Sequence, residues 1–236
     1  MSETENQSPL TRPGPTNPSP VEKLGSILSS KSNRTKLIPA WFKLGFTLWL
    51  AIWIPCYWQH FGPQNFLWFC DLGNLVIGLA LWRESRLLFS WQAVSVLLVQ
   101  LAMIVDILGR LMLGFHPIGG TEYFWDTVHY PLHIRLLSLF HVVSPFLLLW
   151  AVWRLGYDRR AFGLQVVTTW VILPVTFLLT SPKVDINWVF GPFDAPQHRV
   201  APGLYLALCL VMYPLVLHLP THLLLAWWRG AKHKQA

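Results

Sequence analysis

Charged side chains are scarce in this chain, because Asp, Glu, Lys and Arg make up only 12% of its 236 residues. A soluble globular domain carries roughly 25% charged residues, so the composition argues against an ordinary soluble fold. Cysteine is also rare: Cys56, Cys70 and Cys209 each lie in an apolar run, which indicates neither a disulfide framework nor a zinc site. No short basic start leads into an apolar core, so we expect no signal peptide. No internal repeat is evident, which disfavours a small-solute carrier.

The chain is instead rich in apolar and aromatic residues. Hydrophobic residues make up 53% of the chain and include 14 Trp, a residue that concentrates at membrane–water interfaces. We interpret the formal net charge of +7 as Lys and Arg kept on the cytoplasmic side of a membrane. Nucleic-acid binding would need a basic face on a folded soluble domain, which this composition does not offer. We therefore expect membrane lipids as partners and no nucleic acid.

Six apolar runs of membrane length follow one another, at about residues 40–58, 65–82, 87–113, 133–155, 162–181 and 202–228. Lys and Arg precede the first run and recur in the second and fourth connections and after the last run, whereas the first and third connections have none. This alternation follows the positive-inside rule for an even number of spans. The sequence predicts an all-α fold: a polytopic transmembrane bundle of six helices, with both termini cytoplasmic.

Composition divides the chain into three parts. Residues 1–35 are rich in Ser, Thr, Pro and Asn and poor in large apolar residues, which predicts a disordered cytoplasmic N-terminal tail. Residues 36–229 form the predicted six-helix transmembrane domain, and residues 230–236 form a basic cytoplasmic tail. The short loops suit a bacterial inner membrane, where we expect this integral, multi-pass protein to reside.

Polar residues interrupt the apolar runs, and the predicted topology places many of them in the extracytoplasmic half of the bundle. An ionisable residue inside a membrane span usually faces other helices or a wet cavity, and it suggests a functional site. The candidate site residues are Cys70, Asp71, Asn74, Asp106, Arg110, Arg135, His141, Asn187 and Trp188.

Structural interpretations of these residues remain open beside the functional one. Asp106 and Arg110 are four residues apart, so they can neutralise each other on one helix face. Asp71 can form a hydrogen-bonded node between helices, His141 can be a packing histidine, and Cys70 can be an apolar filler. The functional interpretation depends on all of these residues lying at one depth.

The histidines include two pairs with helical spacing, His129 with His133 and His218 with His222. The predicted topology places the two pairs at opposite sides of the membrane, so we expect no shared di-iron site and no metal cofactor. A single extracytoplasmic metal ion bound by His116, His129, His133 or His198 remains an alternative.

The fifth connection, residues 182–201, is apolar for a loop and contains the turn-forming pairs Gly191-Pro192 and Ala195-Pro196. Irregular backbone at membrane depth needs protein around it. We expect this loop to fold back against the bundle and to act as a lid over the polar residues.

Three short motifs resemble the YwaF-like family of multi-spanning bacterial membrane proteins. They are Cys70 in FLWFCDLGN, His141 in SLFHVVSP, and Asn187-Trp188 followed by Gly191-Pro192 in INWVFGP. The resemblance covers roughly residues 60–228, and it implies a lipid acyltransferase or hydrolase. By this analogy Cys70 attacks an acyl carbonyl, His141 takes the proton, and Asp71 or Asp106 orients the histidine. Asn74 or Asn187 would stabilise the oxyanion. Arg110 and Arg135 would bind the substrate.

Two functions therefore stand side by side. The first is a lipid-active membrane enzyme that uses a Cys/His pair. The second is a non-catalytic membrane protein that binds lipid or assembles with a membrane partner or with copies of itself. Whether the chain is an enzyme is open at this point.

Overall fold

The structure is a computed structural model that describes Ser19 and residues 37–192 and 195–233, the last four by their backbone only. The tail predicted for residues 1–35 lies outside this part except for Ser19. The tail predicted for residues 230–236 lies outside it except for the backbone of residues 230–233, which continues the last helix.

The described residues form helices and turns and contain no strand. In chain order the helices are α1 (Ala40–Phe61), α2 (Phe69–Arg83), α3 (Arg86–Leu113), α4 (Leu132–Leu137), α5 (Phe140–Leu155), α6 (Arg160–Leu179), α7 (Pro202–Met212) and α8 (Leu219–His233). Turns of 3₁₀ helix lie at Pro63–Leu67, Glu122–Phe124 and Ile186–Trp188, and a π-helical turn, Tyr213–His218, joins α7 to α8. The all-α prediction is confirmed for this part of the chain.

Within the described residues, four helical stretches are long and apolar enough to cross a membrane, namely Arg86–Leu113, Leu132–Leu155, Arg160–Leu179 and Pro202–Arg229. They correspond to the last four predicted runs and indicate an integral membrane protein. The first two predicted runs are also helical. However, α2 has only 15 residues, a length of about 22 Å, which is shorter than the roughly 30 Å hydrocarbon core.

The second predicted run begins too early at residue 65, because residues Pro63–Leu67 form a 3₁₀ turn and the α-helix starts only at Phe69. A distant side chain fixes this start, since Asn187 Oδ1 accepts a hydrogen bond from the Phe69 N–H at 3.2 Å. Helix starts that are capped from elsewhere in the chain leave no local sequence signal.

Two of the long stretches are irregular. Between α4 and α5, the Leu139 N–H bonds to Leu136 O and the His141 N–H bonds to Ser138 O, which is the tighter i→i+3 pattern. Between α7 and α8, the π turn contains Pro214, which has no N–H to donate. Each irregularity lies beside a buried histidine, His141 in the first case and His218 in the second.

Helix α3 is at the centre of the bundle and contacts α2, α5, α6 and α8. Its buried residues include Phe89, Ala93 and Leu97. Glycine on α2 allows close approach: a Cβ added at Gly73 would lie 3.0 Å from Gln92 Oε1 on α3. Small residues at contacts of this kind are typical of helix packing within membranes.

Contacts between helix ends show that successive long helices run in opposite directions. At one end, which we call the Glu84 end, Lys43 Nζ lies 2.6 Å from Glu84 Oε1, and Arg86 Nη2 lies 3.7 Å from Asp158 Oδ2. Arg229 Nη1 also donates to Trp153 O there, at 3.1 Å. The opposite end, which we call the Asn187 end, contains the start of α2 and the loop around Asn187.

Candidate functional site

A group of buried and half-buried polar side chains lies at the Asn187 end. We call it the tyrosine cluster, and its members are Tyr57, Cys70, Asp71, Tyr123, Ser138 and His141. Four separate parts of the chain contribute to it: α1, the first turn of α2, the 3₁₀ turn after α3, and the junction of α4 and α5. The sequence prediction placed Cys70, Asp71 and His141 at one depth, and the structure brings these three residues to the same tyrosines.

His141 is held by the irregular junction that precedes it. Its Nδ1 lies 2.9 Å from Ser138 O and 3.4 Å from the hydroxyl of Tyr123. A carbonyl oxygen can only accept, so the hydrogen bond to Ser138 requires the proton on Nδ1. Neutral His141 therefore carries its basic lone pair on Nε2, the nitrogen that a general base would use.

Ser138 connects His141 to α1. The Ser138 hydroxyl donates to Ile134 O at 2.9 Å, and its oxygen lies 2.5 Å from the hydroxyl of Tyr57. Because the single Ser138 proton is used on Ile134, Tyr57 must be the donor to Ser138. Tyr57 is 3% exposed, so this hydrogen bond joins two helices in a dry environment.

Cys70 and Asp71 form the α2 side of the cluster. Asp71 Oδ2 accepts from Asn65 Nδ2 at 2.5 Å, and Cys70 Sγ lies 4.0 Å from Asp71 Oδ1. Asp71 is 2% exposed and lies in the first turn of α2, and Asn65 satisfies one of its two carboxyl oxygens.

Tyr123 lies between the two sides of the cluster. Burial raises the pKa of its phenol well above the ordinary value, and the nearby Tyr57, Cys70 and Asp71 raise it further. Tyr123 therefore stays protonated at neutral pH and can donate a hydrogen bond. The direct contact of its hydroxyl within the cluster is with His141, at 3.4 Å from Nδ1.

Asp106 and Arg110, which their spacing allows to pair, bond to different groups in the structure. Asp106 Oδ1 accepts from the backbone N–H groups of Ile118 and Gly119 at 2.8 and 2.9 Å. Its Oδ2 accepts from Thr121 and lies 2.9 Å from His116 Nδ1. The Arg110 guanidinium donates to Gly114 O. Several donors from the following loop thus satisfy the carboxylate, and Asp106 holds the loop that carries Tyr123.

The fifth connection folds back against the bundle as predicted, with Ile186, Asn187 and Val189 buried. Asn187 Nδ2 donates to Leu67 O at 2.8 Å, and Asn187 O accepts from Tyr213 at 2.7 Å. Asn187 and Trp188 have φ angles of 53° and 51°, in the left-handed region that a bulky side chain rarely adopts. The Asn187 amide accepts from the Phe69 N–H and donates to Leu67 O, so it anchors the loop to the start of α2.

Two further candidate residues have unused hydrogen-bonding atoms. Arg135 Nη1 donates to Phe124 O at 3.0 Å, while its buried Nε has no hydrogen-bond partner in the described part of the chain. Asn74 Nδ2 is buried and has no such partner there either. Asn74 lies four residues after Cys70, so both residues are on one face of α2.

The histidines lie in separate environments. His129 Nδ1 lies 2.7 Å from Asp126 Oδ2 in the loop before α4, whereas His222 Nδ1 lies 2.6 Å from the Tyr157 hydroxyl near the Glu84 end. The two helically spaced pairs therefore do not meet, as the topology predicted. Among the described residues, no group of three or more His, Cys, Asp or Glu side chains is placed to hold a metal ion.

Sequence reasoning missed Tyr57 and Tyr123. Tyr57 lies near the end of an apolar run and Tyr123 lies in the third connection, and in this sequence aromatic residues are common at such positions. Only the tertiary contacts distinguish these two residues from the others. Compared with family models, curated proteins and solved structures, the chain gives no match to any of the three.

Proposed function

We propose that the protein is a lipid-active membrane enzyme, an acyltransferase or hydrolase, with its reactive groups in the tyrosine cluster. The observation that carries this proposal is the convergence of a thiol, a carboxylate, an imidazole and two phenols from four separate parts of the chain. Burying such groups in an apolar protein costs free energy, so ionisable residues within membrane spans are usually functional. The resemblance to the YwaF-like family supports the same chemistry.

The proposal places six helical passes in the membrane, with α1 and α2 as the first two. The opposite directions of successive helices and the charged contacts at the Glu84 end support this arrangement. The Glu84 end then faces the cytoplasm with both termini, and the tyrosine cluster lies in the extracytoplasmic half. A bacterial inner membrane is the location that we propose.

In the proposed reaction, Cys70 Sγ attacks the carbonyl carbon of an acyl ester and its proton passes to His141 Nε2. The ester C–O bond breaks, and the leaving alcohol takes that proton, which leaves a Cys70 thioester. Water or a second hydroxyl group then attacks the thioester, and its proton returns through His141 to Cys70. Cys70 and His141 must approach each other when substrate binds, as catalytic groups often do.

Asp106 and Tyr123 are positioning residues in this scheme. Asp106 fixes the loop that carries Tyr123, and the Tyr123 hydroxyl lies 3.4 Å from His141 Nδ1. Asp71 follows Cys70 on α2, with its Oδ1 4.0 Å from Cys70 Sγ.

A non-catalytic lipid-binding or assembly role is the second candidate. The observation that favours it is that no hydrogen bond joins Cys70 to His141 in the described structure, while His141 Nδ1 is already used by Ser138. A membrane protein partner or a second copy of the chain would then contact the bundle.

Lipid turnover by the purified protein in proteoliposomes separates the two candidates. We expect Cys70→Ala and His141→Gln each to lower acyl release or transfer by at least about 100-fold, since general-base catalysis contributes roughly 10²–10⁴-fold. Cys56→Ala is the matched control, because Cys56 is a free, half-buried cysteine on α1. Turnover that survives both site substitutions at the wild-type rate would exclude the Cys/His pair.

A further inference from the structure

A long apolar groove lies between α1 on one side and α4 and α5 on the other. Its volume is about 420 Å³, within the range of small-molecule sites. Its lining includes Gly45 and Trp49 of α1, Leu137 of α4, and Phe140 and Ser144 of α5. Leu137 and Phe140 immediately flank Ser138 and His141, so the groove begins beside the tyrosine cluster.

One polar side chain from α2 completes the lining. Asn74 is 1% exposed, and its Nδ2 has no hydrogen-bond partner in the described part of the chain. Ser144, the other polar residue of the groove, already donates to Phe140 O and lies 3.2 Å from Gln100 Oε1. A buried donor without a partner is rare in native proteins and calls for a physical reason.

The dimensions of the groove restrict what it can hold. The side formed by α4 and α5 extends from Leu136 to Leu147, which corresponds to about 16 Å along a helix. A groove of this length and volume can hold one extended hydrocarbon chain.

The rim of the groove is exposed and apolar. Trp41 is 73% exposed and Val143 is 61% exposed. In a membrane this rim contacts lipid, so a hydrocarbon chain can enter sideways without passing through water.

We infer that the groove binds a single acyl chain of a membrane lipid, with the ester carbonyl accepting a hydrogen bond from Asn74 Nδ2. The chain extends toward Trp41, and the polar end of the lipid faces the tyrosine cluster. Cys70 precedes Asn74 by one helical turn, about 5–6 Å along the same face of α2. This site names the substrate class for the proposed function, yet the binding itself requires no chemistry at Cys70.

Gly45 offers a direct way to fill the groove. A Cβ added at Gly45 meets no atom within 4 Å, so Gly45→Leu projects a side chain into open space. Gly163 of α6 is the matched control, because it is also an exposed helical glycine with nothing within 4 Å of an added Cβ. Both substitutions remove a helical glycine, and only the first occupies the groove.

The test uses vesicles of phosphatidylethanolamine and phosphatidylglycerol that contain a trace lipid with a diazirine-bearing palmitoyl chain. After photolysis, mass spectrometry of peptides quantifies the adducts on residues 45–49 and 137–147 relative to adducts on α6. We expect Gly45→Leu to reduce this ratio at least tenfold and Gly163→Leu to leave it unchanged. Asn74→Leu, which removes one hydrogen bond, should reduce it about three- to tenfold.

Three results would overturn the inference: adducts spread evenly around all helices, a ratio that Gly45→Leu does not change, or a change of oligomeric state in Gly45→Leu with no change in the ratio. The last result would show that a second copy of the chain covers the groove. Cys70→Ala keeps this experiment independent of the enzymatic proposal. If Cys70→Ala forms adducts at the wild-type level, the groove inference holds. If the wild type in addition shows no lipid turnover, the enzymatic proposal is rejected and the groove inference still holds.

Discussion

Replacing Glu84 by Gln tests the contact that fixes the start of α1 to the end of α2. Glu84 Oε1 lies 2.6 Å from Lys43 Nζ, and the carboxylate also accepts from the backbone N–H groups of Leu37 and Ile38 at 3.0 and 3.3 Å. The side chains of Lys43 and Glu84 are only 6% and 19% exposed. A glutamine would leave the Lys43 ammonium buried without its counter-charge. Removing one partner of a buried pair costs about 3–5 kcal/mol, and the partial exposure of Glu84 favours the lower end of that range.

The same contact predicts a pH dependence. Burial raises the pKa of Glu84, but the hydrogen bonds from Lys43, Leu37 and Ile38 lower it more, so the pKa of the folded protein lies below the ordinary value. A carboxyl group whose pKa is lower in the folded state makes its full contribution to the stability of the fold at pH values above its unfolded pKa of about 4.3. That stabilisation is lost as the pH falls through the lower folded value. The difference in stability between wild type and Glu84→Gln should therefore be constant near neutral pH and shrink in acid.

Unfolding in detergent, followed between pH 3 and pH 8, measures both effects. Glu122→Gln is the control, because Glu122 is an exposed carboxylate whose bond to the Gly120 N–H lies at the surface. We expect this control to stay within about 0.5 kcal/mol of the wild type. A Glu84→Gln protein as stable as the control, or a stability difference that grows in acid, would refute the reasoning.

Two further predictions concern the loop after α3. Asp106→Ala should remove amide-exchange protection at Ile118 and destabilise by about 2–3 kcal/mol, since the hydrogen bonds to the buried carboxylate are lost. Arg110→Gln should leave that protection intact, and equal losses in both variants would contradict the assignment. Gly109→Ala should lower the unfolding temperature, because its Cβ would lie 2.3 Å from Pro117 Cγ, and overpacking of this kind costs about 1–3 kcal/mol. Gly163→Ala is the corresponding control and should be neutral or slightly stabilising.

The helices were largely predictable from the sequence because long apolar runs and their flanking charges are local signals. The third run, predicted at 87–113, forms Arg86–Leu113, and the fifth, predicted at 162–181, forms Arg160–Leu179. The start of the second run was predicted wrongly, because the α-helix begins only at Phe69, after a 3₁₀ turn. Its first N–H is capped by Asn187, a residue more than 100 positions later in the chain.

The candidate site was predictable only in part. Cys70, Asp71 and His141 could be found because polar groups are conspicuous in apolar runs. Helical spacing allowed Asp106 and Arg110 to pair, but spacing alone does not show which competing hydrogen-bond donors lie closer to the Asp106 carboxylate. The N–H groups of Ile118 and Gly119 come from a loop whose path the sequence does not reveal. Tyr57 and Tyr123 could not be found, because their hydrogen bonds depend on the packing of α1 and the same loop.

The π turn between α7 and α8 has a consequence for length variation in this chain. A turn closed by i→i+5 bonds accommodates one residue more than the surrounding α-helical winding. Deletion of a single residue within Tyr213–His218 would convert the π turn to regular α-helix. The side chains of α8 would then face the same neighbours as before. The same loss elsewhere in α7 or α8 would rotate every following side chain by about 100°. Natural indels in the last span should therefore concentrate at this one turn.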